Sequence, residues 1–283
     1  MTVVSVMDVG GSHVTAANVD LRSRGVVPGQ VFRQPLDGGG SAEEIVAALA
    51  GCARRLPVQA WLAVAVPGPF DHERGIGRYE GVGKFDALRD FDLRAALALL
   101  LPAGVGISFH HDADAFLVGE WWAGAARGHS CAVGITLGTG VGSSFLRDGA
   151  IVRAGPGIPP KGRVDLLHYA GLPLEETVSR RAIRRAYEGA AGPDVQEIAQ
   201  RARQGDRAAA GVFAQAFQAL GSVLDPCLRA CGATVVVVGG SIAASWDLVA
   251  GPLRAATAVA IEPARHLTEA PLLGAAYLAG AEA

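Results

Sequence analysis

The sequence predicts an α/β fold of two similar lobes around one crevice. Apolar, β-branched runs alternate with helical stretches along the chain, a pattern typical of α/β proteins. Two glycine-rich segments, at 7–20 and 134–149, each follow such a run and lead into another, which predicts two β-hairpins. The second half of the chain therefore repeats the opening of the first, and the acidic sequence HHDADA lies between the two hairpins.

The first half reads as a hairpin followed by alternating helices and strands. Ser41 and Glu44 match a capping box, which predicts a helix that starts at about Ala42. The predicted elements are strands over Val3 to Val9 and Val14 to Val19, a helix from Ala42 to Arg55, a strand from Ala60 to Val66 that stops at Pro67, a helix from Phe91 to Leu100, a strand from Val105 to Phe109 that ends on His110, His111 and Asp112, and a helix from Ala113 to Ala123.

The second half opens on its own hairpin and is then mainly helical. An irregular, proline-rich segment separates the hairpin from the helices. The predicted elements are strands over Cys131 to Leu137 and Gly142 to Leu146, helices over Glu175 to Glu188, Val195 to Gln204 and Ala208 to Arg229, a strand from Thr234 to Val238, and a last helix from Leu272 to Ala281.

The composition excludes several classes of partner. The chain has 283 residues, half of them apolar, which is enough for a sizeable core and fits two domains of modest size. Its formal net charge of −2 gives no electrostatic signature for nucleic acid or an anionic membrane, so a small-molecule partner is expected. The N-terminal residues show no signal peptide, and no apolar run reaches the ~18 residues that span a bilayer, so a cytoplasmic location is expected.

Two groups of side chains each have two interpretations, and the second is the one we favour. Cys227 and Cys231 lie four residues apart on a predicted helix, which suits either a metal pair or two buried thiols. A set of arginines forms either an anion-binding track or a solvated helix face. These arginines are Arg180, Arg181, Arg184, Arg185, Arg201, Arg203 and Arg207.

The paired glycine hairpins favour binding of an anion. Glycine reaches positive φ and lets backbone N–H groups approach an anion without a Cβ in the way. One glycine turn alone is usually a tight β-turn, but two of them with an acidic segment between them need a joint explanation. The chain has no Walker sequence GxxxxGK[ST], so a nucleotide would be held in another way.

Five segments spread over most of the chain are, in order, DVGGSHVTAANVD, VPGPFD, HDADAFLVGE, LGTGVGSS and VVVVGGSIAAS. Together and in this order, they resemble the motifs of ROK-family sugar kinases of the actin-like or hexokinase superfamily. The resemblance implies two actin-like (ribonuclease H-like) lobes with a central active-site cleft. The small lobe would comprise residues 1–112 and about 266–283, and the large lobe residues 113–265. It also implies an ATP- and Mg²⁺-dependent kinase that phosphorylates the primary hydroxyl of a hexose-like substrate.

The resemblance assigns the glycine segments to the nucleotide. Asp8 would hold Mg²⁺ through water, although a solvated turn residue is the alternative. Backbone N–H groups of the two turns would bind the triphosphate, and the last motif would flank adenosine. The residues of the first turn are Gly10, Gly11 and Ser12, those of the second are Thr139, Gly140 and Gly142, and those beside adenosine are Gly239, Gly240 and Ser241.

Asp112 is the candidate catalytic residue. In the matching motif of the family, the aspartate accepts the proton of the sugar hydroxyl that attacks the γ-phosphate. Asp112 directly follows a predicted strand, where an acceptor oxygen can face the crevice. The alternative is that it caps the following helix. Asp114 suits the cap equally well, which would leave Asp112 free for catalysis.

The sequence departs from the family pattern at the zinc site. Many ROK kinases bind a structural zinc ion with one His and a short cysteine cluster. The matching stretch here, VDLLHYAGLPLEETVSRRAI, lacks the cysteines, so no zinc is expected. His168 lies at the family's His position, and it is either a substrate contact or a core histidine.

The expected sugar pocket differs from the family as well. Asp165 stands where Glu is usual, His111 where Asn is usual, and Glu80 about where an Asn is common, while Gly68 of the PGP segment is a further expected contact. Three carboxylates near one pocket, those of Glu80, Asp112 and Asp165, would suit an ammonium or hydroxyl donors. The candidate acceptors are a glucose-type sugar, an amino sugar such as an aminodeoxyglucose, and a sugar-like C7 cyclitol.

Other functions and assemblies are weighed against this one. Some zinc-free relatives use inorganic polyphosphate, so a polyphosphate-dependent glucokinase or mannokinase is the first alternative. The last motif argues against it, because that motif indicates a nucleoside pocket. The family includes DNA-binding regulators with a helix-turn-helix before the first hairpin, but strand residues here begin at Val3. A non-catalytic sugar-binding regulator is less favoured, because Asp8 and Asp112 are retained. Dimers are common in the family, so a homodimer is one assembly that the resemblance allows.

Overall fold

The structure is a computed structural model that describes residues 2–81, 83–189 and 192–282. Its strands are β1 (Val3–Val9), β2 (His13–Asp20), β3 (Gly25–Pro35), β4 (Trp61–Val66), β5 (Phe70–Asp71), β6 (Ile76–Gly77), β7 (Gly106–His111), β8 (Cys131–Leu137), β9 (Val141–Arg147), β10 (Ala150–Ile151), β11 (His168–Tyr169), β12 (Leu172–Pro173), β13 (Val235–Gly239) and β14 (Ala260–Pro263). Its helices are α1 (Ala42–Ala53), α2 (Leu93–Leu100), α3 (Asp112–Ala123), α4 (Glu175–Val178), α5 (Arg180–Glu188), α6 (Val195–Arg203), α7 (Arg207–Cys231), α8 (Trp246–Ala255) and α9 (Ala270–Glu282).

The chain divides into two compact units whose central sheets have the same topology. Unit 1 comprises Met1–Ala123 and Glu269–Ala283, and unit 2 comprises Gly124–Thr268. The strand order is β3-β2-β1-β4-β7 in unit 1 and β10-β9-β8-β13-β14 in unit 2. β1 pairs antiparallel with β2 and parallel with β4, just as β8 pairs antiparallel with β9 and parallel with β13. The prediction that the second half repeats the pattern of the first is confirmed.

Helices cover both faces of the unit 1 sheet. Side chains alternate along β1, so Met7 packs in the cluster that contains the buried residues of α1 and α2. Val4 and Val6 pack in the cluster on the opposite face, with apolar side chains of α3 and α9. By the same alternation, Asp8 shares the face of Val4 and Val6 near the end of the strand, which is the face covered by α3.

Helices α3 and α9 approach each other closely at two glycines. A Cβ at Gly274 would lie 1.8 Å from the carbonyl oxygen of Ala115, and a Cβ at Gly119 would lie 2.0 Å from that of Ala270. Only glycine permits such a backbone approach. The helix α3 therefore belongs to unit 1, although the domain boundary expected from the sequence lay before it, at residue 112.

Replacing Gly274 by Ala is expected to destabilise the protein by roughly 3 kcal/mol, because the added methyl group forces α3 and α9 apart. Gly211→Ala in α7 is a matched control, since nothing lies within 4 Å of a Cβ at that position. The control gains helix propensity and should be stabilised by about 0.5–1 kcal/mol. Denaturant unfolding measures both changes, and equal stability of the two variants would contradict the close approach.

In unit 2 the core lies between the sheet and the helices that follow it. The fully buried Phe213 and Phe217 of α7 belong to one cluster with Val133 and Ile135 of β8. Although α7 runs over 25 residues, neither it nor any other helix among the described residues is long and apolar enough to cross a membrane.

Local sequence patterns predicted most of the helices and strands, and the exceptions have physical causes. The capping box is confirmed, since the Ser41 hydroxyl accepts the Glu44 N–H at 3.2 Å and the Glu44 carboxylate accepts the Ser41 N–H at 2.8 Å. The helix expected over Glu175 to Glu188 is interrupted at Ser179, whose hydroxyl caps α5 by accepting the N–H of Ala182. The strands β3 and β14 and the helix α8 were not predicted from the sequence.

Candidate active site

The carboxyl ends of β1, β4 and β7 meet at one edge of the unit 1 sheet. The parallel registers pair Asp8 with Ala65, and Val66 with His111. Beyond this edge, β1 enters the first glycine turn, β4 runs into the segment that contains Gly68, and β7 passes directly into α3. Four of the residues expected in the site, Asp8, Gly68, His111 and Asp112, therefore lie at the carboxyl edge of one sheet, which is where α/β proteins bind ligands.

Asp8 and Asp112 are coupled electrostatically at this edge. The pKa of Asp8 is raised to about 7, chiefly by burial and further by the negative charge of Asp112, while Arg33 opposes the shift. The structure thus brings together two carboxylates that are far apart in the sequence and that repel each other when both are ionised. A cation beside Asp8 would relieve this repulsion, and carboxylate oxygens are ligands that Mg²⁺ prefers.

Asp112 lies at the junction of β7 and α3. It is the first residue of α3, and its Oδ1 accepts the backbone N–H of Ala113 at 2.8 Å. Asp114 lies inside the first turn of α3 and is buried. The Asp112 side chain is 38% exposed, so its carboxylate retains capacity for a substrate hydroxyl.

The segment after β4 lies against His111. A Cβ at Gly68 would lie 3.6 Å from Nε2 of the His111 ring. The segment is anchored by Tyr79, a fully buried residue whose hydroxyl donates to the carbonyl oxygen of Pro67 at 2.6 Å. Burial and the charge of Asp112 raise the pKa of the Tyr79 phenol, so it stays a neutral donor. Gly68 and His111 therefore form a packed surface beside Asp112.

The first glycine turn carries a neighbour that the sequence analysis missed. The turn is closed by a hydrogen bond from the N–H of Gly10 to the carbonyl oxygen of His13 at 2.9 Å, and Ser12 is exposed. The stem of Lys84 lies against the turn, with its Cδ 3.1 Å from a Cβ built on Gly11. An ammonium side chain beside a turn that offers N–H groups suits an anion. Lys84 is one of two lysines in the chain, and no motif in the sequence marked it as a neighbour of this turn.

In unit 2 the second glycine turn and the last motif lie side by side. β8 and β13 are parallel neighbours that pair Thr136 with Gly239. Gly240 has a φ of 87°, and a Cβ there would lie 2.3 Å from the carbonyl oxygen of Leu137, so this close approach requires glycine. The hydroxyl oxygen of Ser241 lies 3.6 Å from a Cβ built on Gly138, the residue that begins the second turn. Thr139, Gly140 and Gly142 thus share one sheet edge with the last motif.

Glu175 is a second neighbour that the sequence did not reveal. It opens α4, and its Oε2 accepts the N–H of Val141 at 3.4 Å. A Cβ on Gly140 would lie 3.0 Å from the same oxygen. An acidic residue in the first turn of a short helix is common near helix N-termini, so no sequence signal marked Glu175 as a neighbour of the glycine turn.

Three residues expected to bind sugar lie in surroundings that the sequence did not indicate. Glu80 is exposed and forms an ion pair with Arg89 at 2.8 Å. Asp165 is buried and forms an ion pair with Arg163, whose Nε donates to Oδ1 at 3.1 Å. Because guanidinium groups offset both carboxylates, the negative field expected from them is reduced. His168 is exposed on β11, which excludes the alternative of a core histidine at this position.

The arginines after position 175 are mostly engaged with carboxylates. Ion pairs join Arg180 to Asp194, Arg181 and Arg185 to Glu176, Arg201 to Glu197, and Arg203 to Asp247. The interpretation as a solvated helix face therefore agrees better with the structure than an anion track. Of the two thiols expected to be buried, that of Cys231 is buried and that of Cys227 is only partly buried. The described residues hold no group of three or more His, Cys, Asp or Glu side chains suited to a metal.

Two sheets of one topology, a glycine turn on each, and an acidic pair at the strand ends define a two-unit α/β phosphotransferase of the actin-like type. The chain belongs to the ROK family, whose sequence profile matches residues 4–282. Its curated relatives include a glucokinase of Thermotoga maritima, 30% identical over 219 residues that cover 69% of this chain and 68% of the relative. The chain is thus a sugar kinase, a phosphotransferase with an alcohol acceptor.

Solved structures share this fold along nearly the whole chain. A ROK hexokinase from Thermus thermophilus superposes with a TM-score of 0.77 at 26% identity, covering 99% of this chain and 100% of that one. A ROK glucokinase from Streptomyces griseus, solved with glucose and AMPPNP, superposes with a TM-score of 0.79 at 23% identity and covers 98% of each chain. The second likeness concerns the fold alone.

Proposed function

We propose that this kinase transfers the γ-phosphoryl group of ATP to the primary hydroxyl of a neutral, glucose-type hexose. The observation that carries the proposal is the coupling of Asp8 and Asp112 at the carboxyl edge of the unit 1 sheet. One carboxylate would interact with a cation, and the other would accept a proton. The name of the Thermotoga maritima relative, a glucokinase, supports the choice of sugar.

Asp112 would act as the general base. Its Oδ1 is occupied by the N–H of Ala113, so Oδ2 would accept the proton of the sugar hydroxyl. As that proton moves, the hydroxyl oxygen bonds to the γ-phosphorus, and the bond from phosphorus to the β,γ-bridging oxygen breaks. ADP leaves with the bridging oxygen. Phosphoryl transfer depends chiefly on alignment, and a carboxylate fixed at the start of a helix provides a defined direction for the attacking hydroxyl.

Asp8 would hold Mg²⁺ through water. The ion, when bound, supplies positive charge that offsets the charge of the phosphates. The residue fits this role because it is partly buried, interacts electrostatically with a second carboxylate, and lies next to the first glycine turn. The Asp8 carboxylate must be ionised to hold the cation, so cation binding and protonation of Asp8 exclude each other.

The two glycine turns would bind the phosphates, and the last motif would flank the adenosine. N–H groups around Gly10, Gly11 and Ser12 in unit 1, and around Thr139, Gly140 and Gly142 in unit 2, would be the phosphate donors, with the Lys84 ammonium near the first turn. Gly239, Gly240 and Ser241 would lie beside the adenosine. A long polyphosphate chain needs unpaired cations along its path, and the ion pairs of the unit 2 arginines favour ATP over polyphosphate.

The neutral acceptor follows from the ion pairs of Glu80 and Asp165. A pocket lined by unpaired carboxylates would favour an ammonium, but both of these groups have arginine partners. Gly68 and Asp112 would contact the sugar at the unit 1 edge, where His111 lies against both of them, while Asp165 and His168 are proposed contacts from unit 2. Amino sugars and C7 cyclitols then rank below glucose and mannose as acceptors.

A coupled ADP-release assay tests acceptor and donor together. With Mg-ATP, kcat/KM is compared for glucose, mannose, their amino and N-acetyl derivatives, and C7 cyclitols. Glucose or mannose is expected to exceed the amino sugars and cyclitols by at least about tenfold, the size of effect that one mismatched contact produces. A better amino sugar or cyclitol would overturn the neutral acceptor, and ADP release independent of every acceptor would overturn the kinase proposal. Polyphosphate replacing ATP at equal or higher rate would overturn the donor.

A further inference from the structure

The Nδ1 atom of the His111 ring has no role in the phosphoryl transfer proposed above. Its Nδ1 is buried and has no hydrogen-bond partner among the described residues. Oδ1 of Asp112 lies 3.7 Å from Nδ1, which is beyond hydrogen-bonding distance. Buried polar atoms in folded proteins are nearly always satisfied, so an unpaired nitrogen beside a candidate catalytic carboxylate requires an explanation.

The surroundings of the ring restrict its movement. The His72 ring meets it edge-on, with centroids 5.7 Å apart, and His72 packs in turn against Phe70 at 5.2 Å. On the other side, Nε2 faces the segment at Gly68, where a Cβ would lie 3.6 Å away. The backbone of His111 is fixed by its pairing with Val66. The ring is therefore held beside Asp112, and a shift of less than about one ångström would bring Nδ1 from 3.7 Å to within hydrogen-bonding distance of Oδ1.

We propose that His111 is a positioning residue for Asp112. In the sugar-bound enzyme, its Nδ1–H donates to Oδ1 of Asp112, which already accepts the Ala113 N–H. Two donors on Oδ1 fix the rotation of the carboxylate, so Oδ2 points at the hydroxyl that it deprotonates. The inference depends on the proposed role of Asp112. It assigns the function of this side chain to Nδ1 rather than to a direct contact between Nε2 and sugar.

Two amide side chains, Asn and Gln, can each replace one of the two ring nitrogens. In an Asn side chain, the amide nitrogen reaches about the position of Nδ1, whereas Gln reaches about that of Nε2. His111→Asn can therefore donate to Asp112, and His111→Gln cannot. We expect His111→Asn to keep kcat within about threefold, and His111→Gln and His111→Ala to lose roughly 10- to 100-fold in kcat with KM for the sugar nearly unchanged.

Two outcomes of these substitutions would overturn the proposal. If His111→Gln keeps kcat while His111→Asn raises KM for the sugar, the ring acts on the substrate through Nε2. If all three variants match the wild type, or all three fall equally, Nδ1 has no positioning role. Asp112→Asn assayed in parallel separates this inference from the proposed function, since near-normal activity of that variant would remove the base itself.

Substitutions of His72 test the proposal by their effect on kcat, without altering His111. His72→Phe keeps the edge-on ring contact and should keep kcat within about threefold, whereas His72→Ala frees the ring and should lower kcat. If His72 acts by holding His111, its replacement by Ala has no further effect in the His111→Ala background, as a double-mutant cycle shows. Additive losses would contradict the positioning role. Thermal unfolding of each variant confirms that the compared enzymes are folded.

Discussion

Asp112→Asn is expected to lower kcat by roughly 10²- to 10⁴-fold, because an amide cannot accept the proton of the attacking hydroxyl. The amide oxygen of Asn can still accept the N–H of Ala113, so α3 should begin at the same residue. The substitution also removes one of two repelling carboxylates, so Tm should stay equal or rise. Steady-state ADP release with the preferred sugar measures kcat, and thermal unfolding measures Tm.

Asp92→Asn is the matched control for this experiment. Asp92 is also an aspartate at the start of a helix, where its Oδ1 accepts the N–H of Ala95 at 2.8 Å. Asn is an equally good cap, so kcat of this variant should equal that of the wild type. An Asp112→Asn enzyme with near-normal kcat would show that phosphoryl transfer here does not use Asp112 as base.

Asp8→Asn is expected to make the metal-free protein more stable at neutral and alkaline pH while it removes most activity. The pKa of Asp8 is raised from 3.8 to about 7, so the folded protein keeps a proton that the unfolded chain releases between these values. Folding stability therefore falls as pH rises through this window, and the full penalty applies above pH 7. Asn carries no charge and escapes this penalty.

The expected difference in Tm between Asp8→Asn and wild type is near zero at pH 4 and grows to roughly 3–8 °C at pH 8. At each pH, kcat of Asp8→Asn with Mg-ATP should be at least about 10²-fold lower than that of the wild type, because the cation loses its carboxylate. Asp148→Asn is a suitable control, since Asp148 is exposed with a φ of 49°, which Asn adopts readily. A Tm difference that is independent of pH, or an active Asp8→Asn enzyme, would contradict the assignment.

The sequence predicted elements wherever the local pattern was strong. Each glycine hairpin combines a buried strand with a turn that only small residues form, and the capping box of Ser41 and Glu44 determines where α1 begins. The strand β3 was missed because it lies at the edge of its sheet, exposes many of its side chains, and contains Pro28 and Gly29. Its strand conformation comes from pairing with β2, which a local pattern does not reveal.

The helix α8 was missed for a related reason. It contains Pro252, which in sequence reads as a helix breaker. The buried Val249 and Leu253 of α8 pack in the unit 2 core, so tertiary contacts maintain a helix that propensity alone disfavours. The interruption at Ser179 is the converse case, where a local hydroxyl cap outweighs a continuous helical pattern.

For the site, the sequence determined which residues end the strands and which turns can approach an anion. Those features depend on neighbouring residues, because turn geometry and strand periodicity are local properties of the backbone. The tertiary structure alone decided the charge state and partners of these groups: Asp8 beside Asp112, Glu80 with Arg89, Asp165 with Arg163, and Glu175 at the second glycine turn. Electrostatic interactions and desolvation depend on distance in space, and residues far apart in the chain set them.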